Sequence, residues 1–522
     1  MELTKMMHLR NILWLLLLPV WGIAQSKPNE LEQKINDALK TFNIPGVSIS
    51  VVKDGRVLMA KGFGVKEKGK PDAVTENTFF GIASNSKSFT AVALALLVED
   101  GKLTWDDPVV KHLPWFRLSD PYITANIKVK DIVSHNTGLA SGAGELMIFP
   151  PSVYSAREIL QRMKDVPVKY ALRERYAYNN TMFVLAGVLI EEVSGMKWED
   201  FVQTRIFNKI GMLASSPRVS DLSKKVDALT PHVRINGNTV PAKEYPDFQM
   251  TDAGNACGGI VSNATDMAKW LKVLLDSGRI GDNKRLFKQE MLDQLWTIVT
   301  PAGKIKQPAY LKPVSSTYWG YGFGFNMNKF RELDYVGHGG GLYGLLSKMG
   351  MIPSKKLGIF VNTNAHSGYG RDAIFYLVMD YYLGNTDFDW IAAYKLREKE
   401  ADENLEESIK KMNALRDSTI RPQLPLDKFT GTYRDKWYGD ITISLKDNQL
   451  QIKSAVNPLY DGTLTHWQAN TFTARWKEKH IVFSDLFATF EINPYGRVTE
   501  LKLLSQPGTS RNYTDLQLLK IN

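Results

Sequence analysis

The spacing of apolar and polar positions changes several times along this chain, and each change predicts a different element. Residues 47–52 (VSISVV) read as a strand. Lys53-Asp54-Gly55 follows, with the Asp-Gly pair that a tight hairpin turn needs, and residues 57–65 supply the partner strand. Residues 84–100 are almost unbroken apolar from Phe89 to Val98 and stop at Gly101, which predicts a buried helix with a glycine end. Residues 181–194 repeat that pattern and stop at Gly195, and residues 265–276 form an amphipathic helix ending before Gly278. Residues 318–325 (YWGYGFGF) interleave glycine with aromatic rings, as in a strand that lets a neighbouring backbone approach closely. Further strands are expected over 334–336, 345–352 and 357–362. With strands at both ends and helices between, the expected class is α+β: one antiparallel sheet flanked by helices and carrying a helical insert.

Beyond this region the pattern shifts twice. Residues 390–417 are helical and dense in both signs of charge, which suits an exposed connector. After Arg421-Pro422 and Leu424-Pro425, residues from Phe429 onward form short strands, with turns expected at Lys446-Asp447-Asn448, Asp461-Gly462 and Pro494-Tyr495-Gly496. That predicts a separate C-terminal all-β unit, a small barrel or sandwich. At the other end, Lys5 and Arg10 give a positive start before a short apolar run over 12–20, and Gly22-Ile23-Ala24 offers small residues for cleavage. The run is shorter than the roughly 20 residues a spanning helix needs, so it reads as a secretory signal cut after Ala24. The expected organisation is a signal over 1–24, a first unit over 25–388, a connector over 389–418 and a β unit over 419–522. The mature protein is then periplasmic or secreted, with no stable membrane anchor.

Composition narrows the function classes. The chain has 522 residues and a single cysteine, Cys257, so an intrachain disulfide and a Cys-based metal site are both excluded. Cys257 lies among small residues (Asn255-Ala256-Cys257-Gly258-Gly259) and reads as a packed residue. The formal charge is +10, yet no dense Lys/Arg cluster with interleaved aromatic residues occurs, which argues against nucleic-acid binding. The histidines are scattered without a His-x-x-x-His pair, and no metal or organic cofactor is implied.

The candidate chemistry starts from a serine. A hydroxyl is a poor nucleophile until a base takes its proton, and a lysine three residues later on a helix shares its face. Ser-x-x-Lys occurs four times, at Ser50/Lys53, Ser84/Lys87, Ser194/Lys197 and Ser408/Lys411. The first falls on a strand, the third straddles a helix stop and the fourth lies on the charged connector. Only Ser84 opens a buried helix, whose N-terminal N–H groups favour a developing oxyanion. Tyr178-Asn179-Asn180 precedes the second helix, and Tyr178 is the one tyrosine with Asn two residues on. Tyr178 can relay a proton if Lys87 lowers its pKa, and Asn180 can hold a substrate amide. In Val336-Gly337-His338-Gly339-Gly340-Gly341, glycines at a strand start would let substrate lie on the sheet edge, with the Gly341 N–H as a second oxyanion donor. His366-Ser367-Gly368 repeats the His-x-Gly pattern and reads as loop.

These three elements, in this order, resemble the family of class C β-lactamases, penicillin-binding carboxypeptidases and related esterases and aminopeptidases. Asp131 to Leu139 (DIVSHNTGL), Tyr178 to Gly195 (YNNTMFVLAGVLIEEVSG), Gly258-Gly259-Ile260-Val261-Ser262 and Asp266-Met267-Ala268 follow the same family over roughly 31–382. The resemblance implies catalytic roles for Ser84, Lys87 and Tyr178. It implies substrate contacts for Asn180, His338, Gly340 and Gly341, and a structural role for His135. The C-terminal unit, opening with Phe429-Thr430-Gly431-Thr432-Tyr433, resembles an appended domain of unknown function likened to lipocalin barrels, either a wall of the site or a stabilising module. Family members acting on penicillins carry Lys-Thr-Gly or Lys-Ser-Gly where this chain has His338-Gly339-Gly340, and no such tripeptide occurs in the sequence. The expectation is therefore an acyl-enzyme serine hydrolase of small esters, amides or short peptides, including D-residue peptides. A β-lactamase or D-alanyl-D-alanine carboxypeptidase, and a slowly acylated binding or sensor protein, are the alternatives. The oligomeric state is not readable.

Overall fold

The computed structural model describes residues 29–235, 237–242, 250–477, 485–508 and 513–521. The segment read as a signal lies outside them. Eight strands build one antiparallel sheet: β1 (Gly46–Lys53), β2 (Arg56–Gly64), β3 (Thr300–Ile305), β4 (Ser316–Tyr321), β5 (Asn326–Phe330), β6 (Leu333–Leu342), β7 (Leu345–Ile352) and β8 (Leu357–Thr363). Their order is β2-β1-β8-β7-β6-β5-β4-β3, so the N-terminal hairpin zips onto β8 from the far end of the sequence, from Val47↔Thr363 to Lys53↔Leu357. The helical segment between β2 and β3 is the expected insert. α1 (Glu30–Thr41) and α5 (Gly368–Leu383) share one apolar core with the outer face of the sheet. On the opposite face, α2 (Ser86–Glu99), α3 (Asn180–Ser194) and α4 (Ala264–Leu275) belong to one continuous apolar core, in which α4 packs directly on β1, β2 and β8.

Three local expectations in this unit are corrected. β4 ends at Tyr321, because Gly324 takes a φ of 78° and the Gly322 N–H donates to Phe325 O at 2.9 Å, turning the chain back into β5. The close approach foreseen for these glycines occurs at that turn: a Cβ on Gly324 would lie 2.8 Å from Lys87 O. β6 runs well past Val336, so His338 to Gly341 form its second half, not a strand start. It is paired with β5 from Leu333 to Gly337 and with β7 from Val336 to Leu342, which leaves one edge of 338–341 outside the ladder. The loop read at His366-Ser367-Gly368 ends one residue early, since Ser367 caps α5 and Gly368 opens it.

The charged helix, α6 (Trp390–Ala414), is only partly an exposed connector. Trp390, Ala393, Tyr394 and Glu398 are buried, and Trp390 Nε1–H donates to Asp380 of α5 at 2.8 Å. The C-terminal unit is a closed eight-stranded barrel: β9 (Gly431–Asp435), β10 (Gly439–Lys446), β11 (Gln449–Ser454), β12 (Asp461–Gln468), β13 (Thr471–Trp476), β14 (Leu486–Ile492), β15 (Val498–Ser505) and β16 (Leu518–Lys520), with β16 returning to β9. Ile441 and Ile443 of β10 point inward while Thr442 and Ser444 face out, the period-two pattern that fills a small barrel. The turn expected at Asp461-Gly462 lies earlier, between Ser454 and Tyr460, and Asp461 opens a strand. The barrel interior is continuous with the apolar core of the helical insert. No described helix is long and apolar enough to cross a membrane.

Candidate active site

The site forms where the N-terminus of α2 meets the second half of β6. Ala83 sits in the left-handed region with a φ of 52°, a conformation that costs an L-residue on the order of 1–2 kcal/mol. Its neighbours hold it there. Ile82 N–H donates to Ile260 O at 2.9 Å, and Ser347 Oγ of β7 donates to Ile82 O at 2.6 Å. Asn85 Nδ2 donates to that Ser347 Oγ at 2.7 Å. The sharp turn over Ala83–Asn85 leads directly into α2 and presents Ser84 beside Lys87 one helical turn on.

Lys87 is fully buried, and its Nζ lies 3.0 Å from Ser84 Oγ, 2.6 Å from Asn180 Oδ1 and 2.7 Å from Cys257 O. It also sits 4.9 Å from the ring centre of Tyr178 and 5.2 Å from that of Phe183. Burial pulls its pKa down from 10.5 to about 8, against the opposing pull of Cys257 and Glu145. Tyr178 O–H donates to Ser84 Oγ at 2.9 Å. The sequence-based expectation that Lys87 lowers the Tyr178 pKa is overturned: burial pushes the phenol well above its ordinary value, so Tyr178 stays neutral.

The three acceptors around Lys87 define its state. An ammonium gives one N–H to each. A neutral amine has two N–H groups and one lone pair, and two of its neighbours are carbonyl oxygens that can only accept. The lone pair must therefore face Ser84, whose Oγ–H is the one hydrogen available to it. Ser84 then donates to Lys87 while accepting from Tyr178, and the hydroxyl is poised to lose its proton to a buried amine.

Asn180 is fixed by a residue that sequence reasoning missed. Glu145 Oε1 accepts from Asn180 N at 2.7 Å and from Asn180 Nδ2 at 2.9 Å. No motif marks Glu145; it follows a small-residue stretch (Ser141-Gly142-Ala143-Gly144) with no type-specific signature. The carbonyl of Cys257 was likewise invisible, because a backbone acceptor leaves no trace in residue type. The Cys257 thiol is buried, and burial pushes its pKa up to about 11.

His338 lies on β6 but is buried, with Nε2 2.8 Å from Tyr321 OH and Nδ1 against Gly339 O. Nδ1–H donating to the carbonyl leaves Nε2 to accept from Tyr321, so both nitrogens are used within the protein. Burial pulls the His338 pKa down to about 3, and the ring is neutral. Gly340 backs the turn that presents Ser84: a Cβ there would fall 2.6 Å from Ile82 O and 2.3 Å from Ser347 Oγ. Gly341, next along the strand, is exposed. His135 is fully buried and its Nδ1 accepts from Asn179 N at 3.2 Å, beside the Tyr178 ring. The other Ser-x-x-Lys pairs stand apart from this cluster. Ser50 Oγ donates to Ala264 O at 2.6 Å, Ser194 ends α3, and Ser408 is exposed on α6. Among the described residues, no three His, Cys, Asp or Glu side chains are grouped to hold a metal ion.

Comparison with known proteins places this geometry in context. The family described as Beta-lactamase matches residues 31–379, and a domain of unknown function, DUF3471, matches residues 415–518. Unguisins hydrolase ungD of Aspergillus violaceofuscus is 25% identical over 438 residues, 80% of this chain and 76% of that protein. Protein flp of Staphylococcus aureus is 23% identical over 347 residues, 66% of this chain and 65% of that protein. Among solved structures, the octameric penicillin-binding protein homologue from Pyrococcus abyssi superposes with a TM-score of 0.58 at 24% identity, covering 94% of this chain and 99% of that one. The D-stereospecific amidohydrolase from Streptomyces superposes with a TM-score of 0.53 at 22% identity, covering 68% and 98%. These two structural likenesses are likenesses of fold.

Proposed function

The chain belongs to the beta-lactamase family of serine hydrolases, and from that premise we propose that it hydrolyses small esters, amides or short peptides, D-residue peptides included, through an acyl-enzyme on Ser84. The observation that carries this reading is the set of acceptors around Lys87, which turns the neutral amine's lone pair onto Ser84 Oγ. Lys87 takes the Ser84 proton as Oγ attacks the substrate carbonyl carbon. The carbonyl oxygen becomes an oxyanion, received by the N–H groups of Ser84 and Gly341. As the tetrahedral intermediate collapses, the neutral Tyr178 phenol gives its proton to the leaving oxygen or nitrogen and regains one from the Lys87 ammonium. Water then repeats the sequence on the ester with the proton transfers reversed.

The substrate class follows from charge. A penicillin or a D-alanyl terminus brings a carboxylate, and the family members that take one place a lysine and a hydroxyl on the β6 strand. Here that strand offers a buried neutral His338 and Gly339. Uncharged acyl groups are the better match, and the unguisins hydrolases among the relatives share the hydrolytic class. A fluorophosphonate should add covalently to Ser84, read by peptide mass spectrometry, and Ser84→Ala should show none. An intact wild-type protein that stays unlabelled at Ser84 would sink the reading. The same proposal has the chain exported, which requires the mature protein to start at Gln25 on N-terminal sequencing.

A further inference from the structure

We propose that the C-terminal barrel is an active-site positioning module, which acts by gripping the 145–162 segment and through it Glu145, the residue that orients Asn180 against Lys87. The inference rests on the reading of Ser84 and Lys87 given above. Glu145 is a carboxylate and can only accept, so the Asn180 amide must turn its NH2 toward Glu145 and its oxygen toward Lys87. If the amide flipped, its NH2 would face the amine and compete with Ser84 for the lone pair. Glu145 is therefore a positioning residue for the general base.

Glu145 is held from both sides: on the N-terminal side its N–H donates to Gly142 O at 3.0 Å and Asn179 Nδ2 donates to Ala143 O at 2.9 Å, and on the C-terminal side the chain is held by the barrel. Leu146 lines an apolar space with barrel residues including Tyr438, Ile452, Tyr460 and Trp476. Asn457 Nδ2, in the turn before β12, donates to Pro150 O at 3.1 Å, and Val153 N–H donates to Val456 O at 3.0 Å. Tyr154 O–H donates to Tyr438 O at 3.0 Å, and Arg162 donates to Trp437 O at 3.2 Å. Gly439 admits this contact closely, because a Cβ there would lie 3.0 Å from Tyr154 OH. The barrel thus holds, by backbone-directed bonds, the segment that opens with Glu145. The chain of contacts runs barrel turn, Pro150 to Tyr154, Leu146, Glu145, Asn180, Lys87.

The groups facing Lys87 from every packed element are Glu145, the Cys257 thiol and carbonyl, Tyr178, His135 and His338. Of these, Glu145 is the one carboxylate, and its charge favours the ammonium form of Lys87. The test is the rate of fluorophosphonate labelling of Ser84 as a function of pH in the full-length protein. Glu145→Gln keeps an acceptor oxygen and removes the charge, so it should retain most of the maximal rate and move the acid limb to lower pH. Glu145→Ala should lower the maximal rate about tenfold or more. Asn457→Ala combined with Tyr154→Phe, remote from Ser84, should lower it roughly threefold to tenfold. Added to Glu145→Ala, the barrel pair should cause little further loss, because both act on one chain of contacts. Arg162→Ala, which removes one peripheral bond, serves where the pair does not fold.

Barrel-contact variants that lower the melting temperature but label at the wild-type rate would overturn the proposal. So would losses that multiply with that of Glu145→Ala. Failure of the wild type to label at Ser84 is a separate result, and it overturns the active-site reading instead.

Discussion

Raising the pH should switch on acylation of Ser84 through a single ionisation, that of Lys87. In water a lysine is almost wholly protonated at pH 7. Burial brings Lys87 from 10.5 to about 8, a change in the relative stability of its two forms of about 3 kcal/mol. With the base active only when neutral, the competent fraction is about a tenth at pH 7 and about nine tenths at pH 9, roughly a tenfold rise. No other group at the site should add a limb in that window. Tyr178 is pushed well above its ordinary value, while His338 and His135 are both pushed down by burial. The assay is the second-order rate of fluorophosphonate labelling from pH 6 to 10, with circular dichroism at each pH to verify the fold. A rate that is flat from pH 6 to 9 would refute Lys87 as the base. A limb centred above pH 10 would move the role to the Tyr178 phenolate.

Four further outcomes are expected. Ser84→Ala should lower turnover of a short ester by on the order of a thousandfold or more while leaving the melting temperature near that of the wild type. Gly340→Ala should lower the labelling rate without unfolding the barrel, because its Cβ has no room beside Ile82 O and Ser347 Oγ and must displace β6 from the nucleophile turn. Asp380→Ala should destabilise the first unit by about 3 kcal/mol in chemical denaturation, since it leaves the partly buried Arg331 guanidinium with only the exposed Asp387 at 3.6 Å and removes the acceptor of the Trp390 and Asn385 donors. Iodoacetamide should leave the native enzyme active, because the Cys257 thiol is buried with its pKa raised to about 11; rapid inactivation at pH 8 would contradict that burial.

The parts of the site that could be read from the chain are those where side-chain chemistry and helical spacing coincide. Ser84 sits in the turn that opens α2 and Lys87 one turn on in that helix, whose burial is written in its composition, and Tyr178 is marked by its place before a second such helix. Strand pairing was legible as an order of strands, but the extent of β6 was not. A run of glycines carries little strand propensity of its own, and it is the ladder to β7 that keeps His338 to Gly341 extended. The protonation logic was legible only in its parts. A cation near a phenol lowers its pKa in principle, yet that effect competes with desolvation, and desolvation depends on every neighbour that closes over the ring. His135 and His338 are two of those neighbours, brought in from two separate stretches of chain. The same reason hides Glu145 and the Cys257 carbonyl: they act through where the backbone puts them, and a backbone position is a property of the assembled fold. Reading a base from sequence therefore identifies which amine it is. Which proton that amine receives is decided by the two acceptor-only neighbours that face it.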